Sequence, residues 1–380
     1  MTESTMKAVA KSDSVAGPEG TDVRDVPIPS PGPDEVLIRV AAAALCGTDK
    51  HIYKWDPSIR KSVTPPRVYG HEFCGFVERV GDRVEHPELF AGAYVSAEMH
   101  LVCGTCSQCR RGQGHICRNT WILGIHGDGA FAEYVCVPAS NVIRLDPRYV
   151  PIRVGAFLDA LGNAVHTTQV ADLAGKVVAI TGFGPIGAMA AAIAEHSGAT
   201  TIIVTDISDH ALETARRWAA HLNFPRLHAF NMRTTDQNEV KAAIDAITGG
   251  DGVDVVLEMS GAPTAINFGL DILAMGGTIS LLGLPSGNSV TIDNYTRNLV
   301  FKGVTVHGII GRRMYDTWQT MLSLLEGGLD VSWVVQGEYE SLDQFEEAMM
   351  VFERGEALKV VLYPGGIDFA KQRLEAISRG

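Results

Sequence analysis

The sequence lacks any apolar run long enough to cross a membrane. Its longest apolar stretch, from Ile186 to Ala194, is far shorter than the roughly 20 residues that a membrane-spanning helix needs, and it is rich in alanine. The N-terminal residues also lack the basic stretch followed by an apolar one that marks a secretory signal. We therefore expect a cytoplasmic protein that makes no use of a membrane.

A surplus of basic residues is missing as well. The 380 residues include 44 acidic and 32 basic ones, so the formal net charge of −12 disfavours binding to nucleic acid. Hydrophobic residues make up 46% of the chain and charged residues 20%, which excludes a disordered or collagen-like protein. At roughly 150 residues per domain, this length predicts two domains.

Cysteine is scarce outside one short segment. The chain has seven cysteines, and four of them lie between residues 103 and 117. Four thiolates this close together suit the tetrahedral coordination of zinc better than a disulfide framework. An iron–sulfur cluster is the competing interpretation, but the ferredoxin pattern has a shorter last spacing followed by proline. We therefore predict a structural zinc site at Cys103, Cys106, Cys109 and Cys117.

Two patterns of secondary structure divide the chain. An extended run over residues 34–44 and further short runs separated by glycines predict a β-rich first part. From about residue 176, short apolar runs alternate with helical segments, which predicts a parallel sheet. After about residue 307, amphipathic helices and the strand KVVLYP predict a return to the first domain, and residues 368–380 predict a short surface helix.

A glycine-rich turn follows the predicted strand VVAIT and has the pattern G-x-G-x-x-G. Gly182 permits a tight turn, Gly184 lets a pyrophosphate approach the backbone, and Gly187 allows the helix to pack closely on the sheet. Asp206 ends the next strand, about 20 residues further on, where a carboxylate accepts hydrogen bonds from a ribose and disfavours a 2′-phosphate. The pattern favours NAD over NADP; a structural turn with a solvated aspartate is the alternative.

A second group of metal-binding residue types consists of Cys46, His71 and Glu72. A thiolate, an imidazole and a carboxylate with one open position describe a catalytic zinc site. Spacing alone does not favour this site, because a lone histidine is usually a core or surface residue and a lone buried cysteine usually serves as a small apolar residue. Asp159 is a candidate for a fourth ligand or for a group that orients the others.

Thr48 and His51 follow Cys46 closely. On a helical turn they share one face, so a hydroxyl near a metal could pass a proton to an imidazole that leads to solvent. In the alternative interpretation, Thr48 and Asp49 only cap a helix. The spacing leaves both interpretations open.

Together these segments resemble the zinc-dependent medium-chain dehydrogenases, and within them the L-threonine 3-dehydrogenases. The similar segments run from near residue 35 to near residue 362. They include the four-cysteine loop, ALCGTDKHIYKWD, YGHEFCG, DGAFAEYV, LGNAVHT, GFGPIG, EMSGAP and GIIGRRMYDTW. The cysteine loop and GHE are shared by the broader superfamily, whereas HIYKWD and the late GR-x-M-x-x-TW resemble the threonine enzymes more specifically.

The resemblance implies an α/β fold, with a β-rich GroES-like catalytic domain and a Rossmann domain built on a doubly wound parallel sheet. It implies a catalytic zinc-binding domain over residues 1–162, an NAD-binding domain over residues 163–306 and a C-terminal return over residues 307–380. It further implies a homo-oligomer, with a tetramer as the expected form.

The resemblance also implies roles for individual residues. It implies a catalytic zinc ion and a structural zinc ion per chain, with a proton relay through Thr48 and His51 and with Asp159 beside the catalytic metal. Ala211 departs from the threonine enzymes, which commonly carry an arginine there. The residues implied or predicted to contact NAD are Gly182, Gly184, Ile186, Gly187, Asp206, Leu282, Gly283, Leu284, Ile309 and Ile310.

The expected function is zinc-dependent oxidation of the 3-hydroxyl of L-threonine to 2-amino-3-ketobutyrate, with hydride transfer to NAD. A polyol or secondary-alcohol dehydrogenase with the same zinc and cofactor is the first alternative, and a substrate panel separates the two. The second is a non-catalytic NAD- and zinc-binding protein, and the presence of both the metal-binding and relay residues argues against it. Arg312 and Asp159 are candidates for binding the carboxylate and ammonium groups of a small amino-acid substrate.

Overall fold

The computed structural model describes residues 4–287 and 289–378. These residues form two compact units, one of residues 4–160 with 334–378 and the other of residues 161–333. No helix in the described ranges is long and apolar enough to cross a membrane. The domain limits suggested by the resemblance remain a prediction.

The elements follow one another in three stretches. The first contains β1 (Thr5–Lys11), β2 (Thr21–Pro27), β3 (Glu35–Ala44), α1 (Gly47–Tyr53), β4 (Arg67–Val68), β5 (Glu72–Val80), β6 (Tyr94–Ala97), β7 (His100–Leu101), α2 (Ser107–Arg110), β8 (Trp121–Ile122), β9 (Tyr134–Pro138), β10 (Val142–Arg144) and α3 (Ile152–Gly155). The second contains α4 (Leu158–Thr168), β11 (Val177–Thr181), α5 (Pro185–His196), β12 (Thr201–Asp206), α6 (Asp209–His221), β13 (Leu227–Asn231), α7 (Gln237–Thr248), β14 (Val253–Glu258), α8 (Pro263–Ile272), β15 (Leu273–Leu281), β16 (Thr305–Gly308) and α9 (Asp316–Glu326). The third contains β17 (Val335–Tyr339), α10 (Phe345–Glu353), β18 (Lys359–Leu362) and α11 (Ile367–Ser378).

The main sheet of the first unit has the strand order β10-β6-β5-β3-β18-β17, and β9 also pairs with β3. The central strand β3 is buried along most of its length, which its apolar sequence VLIRVAAAA explains. At its carboxyl end, Ala44 pairs with Glu72 of β5 on one side and with Val361 of β18 on the other. Residues that are distant in sequence therefore meet where β3 ends.

The core of the first unit packs directly against the start of β5. Tyr69 contacts Phe131 and Phe345 edge to face, with ring centroids 5.6 and 5.7 Å apart. Gly70 has a φ of +95°, and a Cβ atom there would lie 2.5 Å from the Phe131 ring. Gly70 therefore allows the aromatic core to approach the backbone immediately before His71.

The final helix packs on the main sheet of the first unit. The sequence predicts a short surface helix over residues 368–380, and α11 confirms a helix as far as residue 378; the last two residues lie outside the described ranges. Phe369 contacts the ring of Phe76, with centroids 6.1 Å apart, and lies under the guanidinium of Arg39 at 3.9 Å. This segment thus covers part of β3 and β5.

The second unit is built on a parallel sheet with the strand order β13-β12-β11-β14-β15-β16. This is the order of the doubly wound Rossmann sheet, so the predicted fold class is confirmed. Buried apolar residues such as Ile180, Ile203 and Val256 fill the strands, as expected for a sheet covered on both faces. Ligands of such sheets bind outside the carboxyl ends of the strands, where the order reverses between β11 and β14.

Candidate functional site

The structure brings Cys46, His71 and Glu72 together. Cys46 lies between β3 and α1, whereas His71 and Glu72 lie at the start of β5, and the antiparallel pairing of β3 with β5 places these ends side by side. The Cys46 sulfur, one His71 nitrogen and one Glu72 oxygen all lie within 4.8 Å of one another. His71 and Glu72 are buried, and Cys46 is half-buried.

Asp49 supports this group, a role that the sequence analysis missed. Its buried carboxylate accepts a hydrogen bond from the Cys46 backbone N–H at 2.8 Å through Oδ2, and its Oδ1 lies 3.7 Å from His71 Nδ1. A carboxylate behind an imidazole fixes the orientation of the ring and leaves its other nitrogen for a metal. The same hydrogen bond caps α1, and the spacing of Cys46 and Asp49 was the available signal.

Lys359 is a second residue that the sequence analysis missed. It starts β18, is almost fully buried, and contacts Glu72 Oε2 while donating a 2.9 Å hydrogen bond to the Leu45 carbonyl. Burial alone would lower the pKa of Lys359, but the Glu72 carboxylate and the Cys46 sulfur hold it above its ordinary value. Within the described chain, Glu72 Oε1 has no hydrogen-bond partner, so it is available to a ligand.

The donor set and its charge fit a zinc ion. Burial opposes the charged form of His71, yet the Asp49 carboxylate and the Cys46 sulfur raise its pKa to about 10. Burial raises the pKa of Glu72 to about 6, although Lys359 opposes the shift. These shifts show a buried site with an excess of negative groups, and sulfur, nitrogen and oxygen donors are the ligands that zinc takes in catalytic sites.

Asp159 lies on the first turn of α4 and is buried. It acts electrostatically on both His71 and Glu72, which places it beside the group, but its oxygens are not among the ligand atoms that converge. Its coordination to a metal remains a prediction.

The predicted relay residues both lie on α1. The hydroxyl of Thr48 is 4.0 Å from the Cys46 sulfur, and the side chain of His51 is exposed and contacts Asp56 Oδ2 through Nδ1. The helix places Thr48 next to the metal-binding group and His51 three residues further, towards solvent. The relay itself remains a prediction.

The four cysteines of the predicted structural site converge around α2. The sulfur of Cys106 lies 3.4 Å from that of Cys109 and 3.8 Å from that of Cys117, which in turn lies 3.5 Å from the sulfur of Cys103. These distances are too long for a disulfide. Tetrahedral zinc with Zn–S bonds of about 2.3 Å would hold sulfurs about 3.8 Å apart, so the arrangement fits a zinc ion closed off by four thiolates.

Backbone groups favour the thiolate form in this loop. Hydrogen bonds from the backbone N–H and hydroxyl of Thr105 and from the Cys106 N–H lower the pKa of Cys103 to about 5. Because a thiolate is the form that binds metal, these hydrogen bonds favour metal binding at Cys103, whereas burial and the neighbouring Cys106 and Cys117 raise the pKa of Cys109 to about 12.

The glycine turn of the second unit joins β11 to α5. Gly182 has a φ of +95°, and a Cβ on Gly187 would lie 2.1 Å from the Gly182 carbonyl oxygen. A Cβ on Gly184 would meet nothing within 4 Å, so the space next to it is open to a ligand. Ile186 lies on the first turn of α5, where backbone N–H groups lack partners within the helix.

Asp206 ends β12 at the same edge of the sheet. Its Oδ2 accepts the Phe183 N–H at 2.6 Å and its Oδ1 accepts the Ser208 N–H at 2.8 Å, so the carboxylate is held in place and retains lone pairs for a ribose. A cavity of about 310 Å³ adjoins it and is lined in part by Gly182, Ile207, Met232, Ser260 and Phe268.

The remaining predicted cofactor residues follow β15 and β16. Ile309 donates a 2.9 Å hydrogen bond to the Leu281 carbonyl, which ties the two segments together. Leu284 is 82% exposed and Ile310 is 54% exposed, so apolar side chains lie open beside the carboxyl ends of the strands. The structure therefore places Leu282, Gly283, Leu284, Ile309 and Ile310 at the same sheet edge as Gly182 and Asp206.

Arg312, the candidate for binding a substrate carboxylate, is 1% exposed. Its side chain packs over Gly162, and its guanidinium lies 3.5 Å from the Asn163 side-chain oxygen. Its role in binding a substrate remains a prediction.

Comparisons with known proteins agree with this arrangement. The family model "Alcohol dehydrogenase GroES-like domain" matches residues 32–147, and the model "Zinc-binding dehydrogenase" matches residues 185–327. The L-threonine 3-dehydrogenase of Caldanaerobacter subterraneus subsp. tengcongensis is 45% identical over 91% of this chain and 96% of its own length. That of Pyrococcus horikoshii is 42% identical over 90% of this chain and 94% of its own. A zinc-binding dehydrogenase from Sinorhizobium meliloti 1021, solved bound to NADP, is 29% identical and superimposes with a TM-score of 0.80 over 95% of this chain and all of that one.

We expect the substitution Cys106→Ser to remove one zinc ion per chain and to lower the Tm by roughly 5–10 °C, because the cysteine loop would lose its cross-link. Elemental analysis and calorimetry of the purified protein measure both effects. Cys136→Ser, on β9 and outside both groups, is the matched control and should keep the full zinc content. Unchanged zinc content in Cys106→Ser would contradict the structural site.

Proposed function

The chain belongs to the zinc-dependent medium-chain dehydrogenase family, and on that premise we propose that it oxidises the 3-hydroxyl of L-threonine to 2-amino-3-ketobutyrate with NAD as hydride acceptor. The observation that carries the proposal is the buried group of Cys46, His71 and Glu72 in a chain that aligns over nine-tenths of its length with L-threonine 3-dehydrogenases. The same alignment favours threonine over a polyol as the substrate.

In the proposed site, Cys46, His71 and Glu72 hold the catalytic zinc ion. When bound, zinc supplies the Lewis acidity that makes a hydroxyl group easier to deprotonate. The Asp49 carboxylate lies 3.7 Å from His71 Nδ1 and attracts the imidazole electrostatically, and Lys359 occupies one oxygen of Glu72 so that the other is left for the metal. These two supporting residues keep the metal-binding atoms in place without touching the substrate.

The hydroxyl proton leaves through residues of α1 in this proposal. Thr48 is the first acceptor, since its hydroxyl lies next to the Cys46 sulfur. His51 then takes the proton at Nε2, because the contact between Nδ1 and Asp56 favours the tautomer that carries its proton on Nδ1. The exposure of His51 allows the proton to pass to water.

We propose that the second unit binds NAD at the carboxyl edge of its sheet. The open space at Gly184 and the start of α5 suit a pyrophosphate. The fixed carboxylate of Asp206 suits a ribose with free hydroxyls and repels a 2′-phosphate, which favours NAD over NADP. The relative solved with NADP shows that the fold also accepts the phosphorylated cofactor.

We also propose that the protein is a homo-oligomer, with a tetramer as the expected form, and that it resides in the cytoplasm. The oligomer is supported by an apolar surface at one edge of the sheet in the second unit. There β16 is an edge strand, and Met275 and Phe301 are 73% and 71% exposed while Val306 is also exposed. An edge strand flanked by apolar side chains pairs readily with a second copy of itself across a twofold axis.

The proposed activity is tested by following NAD reduction at 340 nm with zinc-loaded protein and a panel of substrates. We expect L-threonine to exceed L-serine, D-threonine, sorbitol and 2,3-butanediol in kcat/KM by roughly a hundredfold, because a site that binds polar substituents rejects analogues that lack or misplace them. Cys46→Ser should be inactive while the zinc of the cysteine loop stays bound. A preference for a polyol would overturn the threonine assignment, and inactivity on every substrate would favour a non-catalytic protein.

We expect Asp206→Ala to raise the KM for NAD by about tenfold and to narrow the preference for NAD over NADP, since two ribose hydrogen bonds and a negative charge are lost. Initial rates with both cofactors measure the effect. Asp206→Asn is the matched variant, because it keeps the shape of the side chain while it removes the charge and replaces one of the two acceptor oxygens by a donor. An unchanged ratio of kcat/KM for NAD and NADP in both variants would show that Asp206 does not select the cofactor.

We expect Phe301→Glu to reduce the size of the particle in light scattering coupled to gel filtration, because a charge would be buried in the proposed interface. Leu222→Glu is the control, since Leu222 is also exposed but follows α6, which packs on β13 at the opposite edge of the sheet. A wild-type monomer, or equal effects of the two substitutions, would contradict this interface.

A further inference from the structure

Glu258 is a buried acid that the proposed reaction does not use. It ends β14 within the segment EMSGAP, and its side chain is fully buried in the second unit. A charged group in such a place is retained only where it is well paired by hydrogen bonds. Its partners therefore indicate what the acid does.

The carboxylate of Glu258 holds the loop that follows β14. Its Oε1 accepts hydrogen bonds from the Ser260 N–H at 2.8 Å, the Ser260 hydroxyl at 2.5 Å and the Gly261 N–H at 2.9 Å. Oε2 lies 3.2 Å from the same Gly261 nitrogen, and the Thr181 hydroxyl at the end of β11 lies 3.4 Å from Oε1. One side chain thus joins the loop to the end of the neighbouring strand.

The backbone of Glu258 holds a second loop. Its carbonyl oxygen accepts the N–H groups of Leu282 and Gly283 at 3.0 and 3.2 Å. These residues begin the segment after β15 that is predicted to contact NAD. Glu258 therefore connects two loops at the edge of the sheet, one through its side chain and the other through its backbone.

The backbones of these loops approach one another closely. A Cβ on Gly261 would lie 2.4 Å from the Leu284 carbonyl oxygen, and one on Gly283 would lie 2.0 Å from the Gly261 nitrogen. A Cβ on Gly182 would lie 3.0 Å from the Ser260 nitrogen. A displacement of the Ser260–Gly261 loop would therefore disturb both the glycine turn and the segment at 282–284.

This junction lies between β11 and β14, where the strand order reverses and where ligands of doubly wound sheets bind. We propose that Glu258 is a positioning residue for the cofactor: its carboxylate fixes the Ser260–Gly261 loop and, through it, the Gly182 turn and the segment at 282–284 in the arrangement that binds NAD. This inference rests on the proposed use of NAD.

The test measures the Kd of NADH by fluorescence titration of zinc-loaded protein, without substrate. We expect Glu258→Ala to raise this Kd by about tenfold or more, because three strong hydrogen bonds to the loop are lost. Glu258→Gln should bind NADH within about threefold of wild type, since its Oε1 can still accept the bonds from Ser260 and Gly261. In steady-state assays, Glu258→Ala should raise the KM for NAD more than it lowers kcat.

Two further variants separate positioning from folding. Ile244→Ala, buried on α7 in the core of the same unit, should lower the Tm while leaving the Kd of NADH unchanged. Glu258→Asp keeps the charge but is too short to reach the loop, so it should weaken NADH binding even if Glu258→Ala fails to fold.

The inference is overturned if Glu258→Ala or Glu258→Asp binds NADH as tightly as the wild type. It is also overturned if Ile244→Ala weakens binding to the same extent, because the effect would then reflect stability alone. If the wild type binds NADH but does not oxidise threonine, the proposed substrate is wrong. The test of Glu258 is unaffected by that result. A wild type that binds no NADH would overturn both.

Discussion

The pairing of β3 with β5 and β18 is the constraint on which the candidate metal centre depends. Cys46 follows β3, Glu72 begins β5, and Lys359 begins β18, so their proximity exists only while the three strands are in register. A shift of one residue in either pairing would turn the side chains of that strand to the opposite face. The buried, alanine-rich end of β3 makes the register specific, since its small side chains allow neighbouring strands and α3 to pack closely.

The burial of acidic groups at this candidate centre favours a cation there. Asp49 and Glu72 lie in the interior with Lys359 as the paired cation, and the sulfur of Cys46 and the carboxylate of Asp159 add further negative character nearby. Burying an uncompensated charge is costly, and removing one partner of a buried ion pair costs about 3–5 kcal/mol. A divalent ion among these groups offsets that cost. Zinc bound at this candidate site would therefore add to the stability of the first unit.

Features that depend on one short segment could be predicted from the sequence. The four cysteines and the glycine turn each lie within about 15 residues, so their spacing reflects the geometry of a single loop. In the structure the four cysteines converge and the glycines form a tight turn, as predicted. The parallel sheet could be predicted from the alternation of strands and helices, whereas its Rossmann fold was implied by the resemblance. Lys359 could not, because its partner is 287 residues away and only the pairing of β18 with β3 brings them together. Asp49 was visible as a helix cap, but its approach to His71 depends on β5.

The residues that the sequence did not reveal have a common place in the architecture. Asp49 and Lys359 contact the residues of the candidate metal centre, and Glu258 contacts the loops predicted to bind NAD. Each is a buried ionisable group whose hydrogen bonds hold atoms of a candidate site in place, because buried hydrogen bonds restrict the movement of their partners. Motif spacing identifies groups that touch a ligand, because the ligand imposes the spacing. A supporting group has to match only its protein partner, so its position in the sequence follows from the fold and is visible only once the fold is known.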